Sequence, residues 1–151
     1  IVSICWGAKE KETATKIRSI TNRILLAIGT LTALSFFIAG KRYAEIFGCS
    51  NSIADMVATG FRIYAITFLA MGYDVAGSMY FTSCGYAKSS AIISSLRGIV
   101  LLLAFILIFP AIFGMNGVWM ASPCAETLTA IVTFVLIRRQ VRKNKEEENG
   151  R

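Results

Sequence analysis

The chain has 151 residues, of which 55% are hydrophobic and 17% are charged, and its formal net charge is +7. A soluble domain of this size carries about 25% charged residues, so the composition excludes an ordinary soluble fold and indicates a protein surrounded by lipid. The positive charge does not indicate nucleic-acid binding, because the basic residues collect between and after apolar runs instead of forming one patch with interleaved aromatic residues. We therefore expect a lipid bilayer, and no nucleic acid, as a partner.

Several residue types and motifs that catalytic and metal sites need are missing. The chain has no histidine, which excludes a Ser/His triad and argues against zinc or haem. No Walker loop, GxSxG or HExxH motif occurs, so we predict that the protein is not an enzyme and has no cofactor. The cysteines are far apart, with no CxxC pair, and are interpreted as small apolar residues; they are Cys5, Cys49, Cys84 and Cys124.

The first two segments lie before any complete membrane span. Residues 1–6, IVSICW, are typical of the last turns of a truncated transmembrane helix. The chain begins without an initiator Met and without the pattern of a signal peptide, so we expect it to be part of a longer polypeptide. Residues 7–23 form a basic, cytoplasmic linker, which is either a solvated loop or a short amphipathic helix at the membrane surface.

Four apolar segments follow, each close to the length of about 20 helical residues that spans a hydrocarbon core. They cover residues 24–39, 61–84, 91–113 and 118–137. They are apolar on all sides, which favours helices over the alternating strands of a membrane barrel. We predict an all-α membrane protein with a four-helix transmembrane bundle over 24–137 and a charged cytoplasmic tail over 138–151.

The connections between the spans carry recognisable signals. Ser52 and Asp55 have the spacing of a capping box, so we expect a helix to begin there and to continue without a break into the span 61–84. Residues 114–117, GMNG, predict a tight turn. Arg97 lies close to the start of the third span, where its long side chain can reach the interface, so we expect it to have no buried partner.

The basic residues also predict the orientation. Thirteen of the 16 Lys and Arg residues fall on one side of the four spans, and only Lys41, Arg42 and Arg62 fall on the other. By the positive-inside rule, both termini and the turn at 85–90 are cytoplasmic. The prediction is a multi-pass protein of the cell membrane, that is, an inner or plasma membrane.

Two acids lie within the spans, Asp74 in the second and Glu126 in the fourth. An Asp at the bilayer centre costs about 2.5–3.5 kcal/mol, so such residues face a bundle interior or a watery cavity. Both spans run in the same direction, which places the acids at similar depth, where one cavity can hold both with a proton or a monovalent cation. Alternatively, each acid pairs with Tyr, Ser or Thr and only fastens helices together.

We take Asp74 and Glu126 as the candidate cation-coupling residues, with Na+ at Asp74 as the one metal ion considered. The neighbouring residues of the second span supply candidates for the lining of a substrate cavity: Met71, Tyr73, Gly77 and Tyr80. Two alternatives stay open for them. The small residues around Asp74 also suit close helix packing, and the aromatic ones can equally face lipid.

Four stretches of the chain resemble, in the same order, the end of the C-terminal half of the MATE family, the multidrug and toxic compound extrusion transporters. They are IVSICWGAKEKE, IFGCSNSIADMVATGFRIYAI, FTSCGYAKSS and FPAIFGMNGVWMASPCAE, and together they cover nearly the whole chain. The resemblance implies a twelve-helix transporter of two six-helix lobes. This chain would supply the end of the eighth helix and the ninth to twelfth helices, and an N-terminal lobe of the same polypeptide would complete it.

The resemblance also implies a function. Members export small organic compounds, cationic or neutral and amphipathic, in exchange for Na+ or H+ by alternating access. Asp74 falls where some members carry a cation-coupling acid in the tenth helix, while the proton-coupling acid of others lies in the N-terminal lobe, so the coupling ion stays open. Two alternatives are a flippase for a lipid-linked sugar, as in related superfamilies, and a non-transport helical module of the membrane.

Overall fold

A computed structural model describes residues 1–48 and 51–149, and within these ranges the chain is helical with no strand. The all-α prediction is therefore confirmed. The helices are α1 (Val2–Gly7), α2 (Lys11–Ile46), α3 (Asn51–Tyr64), α4 (Thr67–Ser83), α5 (Ala87–Ser95), α6 (Leu101–Phe113) and α7 (Met115–Asn149). A π-helical turn, Leu96–Val100, joins α5 to α6.

Three of these helical stretches are long and apolar enough to cross a membrane, namely α2, the continuous run Ala87–Phe113, and α7 through Asn144. The pair α3 and α4 makes a fourth candidate if it is one span, although it is bent by 41°. The structure thus agrees with a membrane protein, with the second of the four predicted spans broken in two.

The predicted linker and tail differ from the structure. Residues 11–23 are the first turns of α2, continuous with its apolar part, and residues 138–149 continue α7. Neither segment contains Gly or Pro within the helical range, so nothing in the sequence breaks the helix once an apolar span has nucleated it. In the tail, Arg142 Nε lies 2.9 Å from Glu146 Oε1, an (i, i+4) pair that supports the helix.

The predicted unbroken helix into the second span is wrong. α3 ends at Tyr64 and α4 begins at Thr67, and the backbone N–H of Phe68 donates to the carbonyl of Ala65 at 3.2 Å, three residues back instead of four. This tighter turn redirects the chain. The capping prediction falls on the Ser52 side chain, which lies outside the described residues.

The predicted turn after the second span is present and has a defined geometry. Gly85 has a φ of +79°, a conformation that favours glycine. The N–H of Tyr86 donates to the Phe81 carbonyl at 2.8 Å, and the N–H of Gly85 donates to the Thr82 carbonyl at 3.1 Å. These two bonds form a Schellman motif, which ends α4 and satisfies its last carbonyls.

A buried apolar cluster beside this turn joins α4, α5 and α7. Its members are Tyr80, Phe81, Cys84, Ile93 and Ile137. The ring of Trp6 in α1 packs edge-on against Tyr80, with ring centroids 6.4 Å apart, so α1 is held to the same cluster. Cys84 is a free thiol within it; Cys5 and Cys124 are also free, and Cys49 lies outside the described residues.

The closest approach of α4 to α7 is at Gly77, where an added Cβ would overlap the methyl group of Thr133. Thr133 is fully buried, so it has no room to yield. We expect Gly77→Ala to lower the free energy of unfolding by about 1–3 kcal/mol, as overpacking does in other cores. Thermal unfolding of the detergent-solubilised protein measures this loss.

The matched control is Gly98→Ala, because an added Cβ at Gly98 has nothing within 4 Å. This variant should be at least as stable as the wild type, since Ala favours a helix more than Gly does. Unfolding of both variants at the wild-type temperature would contradict the close contact at Gly77.

Candidate functional site

Asp74 lies on the face of α4 that contacts α7, and its side chain is fully buried. The hydroxyl of Thr133 donates to Asp74 Oδ1 at 2.8 Å. Gly77, less than one turn further along α4, lets α7 come close enough for this hydrogen bond. The small residue beside the acid therefore positions it against its partner helix.

Glu126 lies on the same face of α7, seven residues before Thr133, and is 8% exposed. Its Oε1 lies 3.2 Å from Nε of Arg97, which comes from the π-helical turn. The carboxyl groups of Asp74 and Glu126 also interact directly with each other. The structure thus brings the two predicted acids together and adds a guanidinium from a third span.

The remaining oxygens of the two acids have no partner. Asp74 Oδ2 and Glu126 Oε2 are both buried without a hydrogen bond. Two carboxylates and one guanidinium leave the cluster with a formal charge of −1. A buried charge without compensation is strongly unfavourable, so one proton or one monovalent cation between these oxygens would satisfy both the charge and the hydrogen-bonding capacity.

A cavity of about 360 Å³ opens beside the cluster, between α4 and α5. Asp74 and Arg97 both lie on its wall. Its other lining residues are Val75, Ser78, Met79, Ile93, Ser94 and Gly98. The cavity therefore has polar groups around the acid and apolar groups elsewhere, which suits a small ion with its water better than an organic compound.

The four residues predicted to line a substrate cavity lie elsewhere. Gly77 packs against Thr133, and Tyr80 belongs to the buried apolar cluster. Met71 is 38% exposed on the surface of α4. Tyr73 lines a separate cavity of about 740 Å³, together with arginines of α2 and α7. The structure places none of the four on the wall of the Asp74 cavity.

The expectation that Arg97 has no buried partner is wrong, because Glu126 needs a counter-ion and the π-helical turn aims Arg97 at it. No sequence signal marks that turn. Thr133 was also missed, although a signal existed. Glu126, Thr129 and Thr133 have the (i, i+3, i+7) spacing of a single helix face, which puts two hydroxyls in line with the acid.

Comparison with known proteins identifies the family. The model of the MatE family matches residues 1–108. The chain is also similar to the Multidrug export protein MepA of Staphylococcus aureus (strain bovine RF122 / ET3-1), with 19% identity over 125 residues. That match covers 81% of this chain but 28% of the relative, so the chain spans well under half the relative's length. No solved structure matches. Because the family model covers most of the chain, from α1 into α6, the protein belongs to the MatE family.

Proposed function

We propose that the chain is the C-terminal part of a multidrug efflux antiporter that works by alternating access, and that Asp74 and Glu126 together bind the coupling ion, Na+ or H+. Family membership and the name of the similar staphylococcal protein support the export of small organic compounds. The observation that carries the coupling role is the buried cluster of charge −1 with one unpartnered oxygen on each acid.

The cluster also suggests how ion binding would affect the helices. Thr133 and Arg97 hold one oxygen of each acid, so the other two oxygens are free to share an ion. With the ion bound, α4 and α7 would pack around a neutral site; without it, they would enclose a net negative charge. An ion shifts a conformational equilibrium only if it binds the two states differently, and this difference in charge supplies that preference.

The alternatives receive less support. A flippase for an anionic lipid-linked sugar would need unpaired cations in its cavity, whereas Arg97 is paired with Glu126 and the cluster is net negative. A purely structural role for the acids would predict that both oxygens of each acid find partners, as buried polar groups usually do. Each acid instead has one oxygen that is satisfied and one that is not.

The experiment is a transport assay on the full polypeptide that contains this chain, purified and reconstituted into proteoliposomes. A fluorescent organic cation serves as the cargo. Its movement should accelerate under an imposed Na+ gradient at constant pH, or under a pH gradient without Na+. Equal transport with and without both gradients would contradict coupling. Unchanged drug sensitivity with accumulated cell-wall precursors, after deletion of the gene, would favour the flippase.

A further inference from the structure

A row of hydroxyl groups runs between α4 and α5. Ser78 Oγ lies 3.0 Å from Ser90 Oγ and 2.9 Å from Ser94 Oγ. At the other end of the row, Thr82 Oγ1 lies 2.7 Å from Ser90 Oγ. The four side chains therefore form a continuous chain of hydrogen bonds that crosses the helix pair three times.

The row leads from the helix end to the buried acid. Asp74, Ser78 and Thr82 are four residues apart on one face of α4, so the row covers about 12 Å along the helix. Its lower end lies within one turn of Gly85, where α4 stops. At its upper end, Ser78 and Ser94 line the cavity of about 360 Å³ that also contains Asp74.

Hydroxyls on another span behave differently. Thr30 and Thr32 of α2 donate to the carbonyls of Leu26 and Ile28 at 2.7 and 2.9 Å, so each is satisfied by its own helix. Thr82 makes such a bond too, to the Ser78 carbonyl at 3.0 Å. The described side-chain hydrogen bonds of the three serines, in contrast, all run within the row. Their remaining donor and acceptor capacity needs a partner that lipid cannot supply.

A second observation places demand at the head of the row. Asp74 is fully buried, lines the cavity, and has an Oδ2 atom without a hydrogen-bond partner. Arg97 is 29% exposed at the same cavity. A cavity of this volume has room for several water molecules, each of which takes about 30 Å³ in the liquid. Water or an ion there would complete the coordination of both groups.

We propose that the hydroxyl row between α4 and α5 is a water-accessible path that connects the Asp74 cavity with the side of the membrane on which the Gly85 turn lies. This inference rests on the proposed function, to which it adds the route by which the coupling ion leaves Asp74. A hydroxyl both donates and accepts, so the row can hold a file of water or hand on a proton. The turn at 85–90 is predicted to be cytoplasmic, which makes the path an exit toward the cytoplasm.

Thiol labelling of the full polypeptide tests the path. Ser78→Cys and Ser94→Cys are made singly in a background without native cysteines, and a charged, membrane-impermeant maleimide is added to vesicles of each orientation. Lipid suppresses ionisation of a thiol and excludes a charged reagent, so we expect both to react at least about tenfold faster than Ile92→Cys. Ile92 is the matched control, because it is 48% exposed on α5, only two residues from Ser94.

The sidedness of labelling decides the direction of the path. Lys88→Cys, in the turn itself, marks the correct side. The two serine positions should react from that side alone. Reaction at the Ile92→Cys rate, or only from the opposite side, would overturn the proposal.

A measurement on the unmodified protein covers the case in which a cysteine variant fails to fold. Met79 lines the same cavity, and hydroxyl radicals formed from bound water oxidise methionine to its sulfoxide. Oxidation of Met79 supports the path, and its protection in folded protein contradicts it. Neither readout depends on transport, so loss of the path is distinguishable from loss of the coupling role of Asp74, which efflux by Asp74→Asn reports.

Discussion

Replacing Asp74 with Asn in the full polypeptide is expected to lower ion-driven efflux by about tenfold or more. The side chain keeps its size and its bond to Thr133 but loses the charge that would hold the ion. A hydrogen bond to a charged group contributes about 1.5–3 kcal/mol, which corresponds to a factor of about ten or more in ion affinity. Efflux from proteoliposomes at a series of Na+ concentrations and pH values measures the change.

Asp55→Asn is the matched control, because it removes the same charge at an exposed site. Asp55 Oδ1 lies 2.7 Å from Nζ of Lys41, and both side chains are about half exposed or more, at 66% and 49%. Such a surface pair contributes little, so efflux should stay near the wild-type level. Wild-type efflux in Asp74→Asn under every ionic condition would remove Asp74 from the mechanism.

Replacing Arg97 with Gln should be strongly destabilising, because it leaves Glu126 buried without a counter-ion. Breaking one side of a buried pair typically costs about 3–5 kcal/mol. The Glu126 side chain is 10% exposed in the pair, which places it in this class. Thermal unfolding of the purified protein in detergent measures the loss.

The double variant Arg97→Gln with Glu126→Gln should recover most of that loss, since both charges are then gone and two amides can bond to each other. Arg142→Gln serves as the control for removing an arginine. Its partner Glu146 and Arg142 itself are 64% and 82% exposed, so the change should cost less than about 1 kcal/mol. Equal losses for Arg97→Gln and Arg142→Gln would show that the Arg97 pair is not buried in solution.

The helical fold of this chain follows from its sequence, because long runs without charge can satisfy their backbone in lipid only as helices. The ends of these helices follow less well. Gly85 signals a turn through its positive φ, and the structure has the turn. No residue signals that residues 11–23 and 138–149 continue α2 and α7, because a polar helical segment and a polar loop have similar compositions.

The site was predictable in part. The depth of Asp74 and Glu126 in two parallel spans follows from counting residues, and the structure brings the two acids together. Which residues line the cavity depends on the rotation of each helix about its axis. The bend at Tyr64–Thr67 and the π-helical turn at Leu96–Val100 set that rotation, and neither has a sequence signature. This is why Tyr73 and Gly77 were chosen where Ser78 and Arg97 line the wall.

Cation uptake by the purified full polypeptide tests most directly whether the Asp74–Glu126 cluster binds a single positive charge. Bound Na+ at constant pH, and bound protons in the absence of Na+, are counted for the wild type and for Asp74→Asn. The cluster has a formal charge of −1, so the variant should take up one cation fewer per protein, as either Na+ or H+. The same uptake of both ions in the two proteins would contradict the coupling role of the cluster.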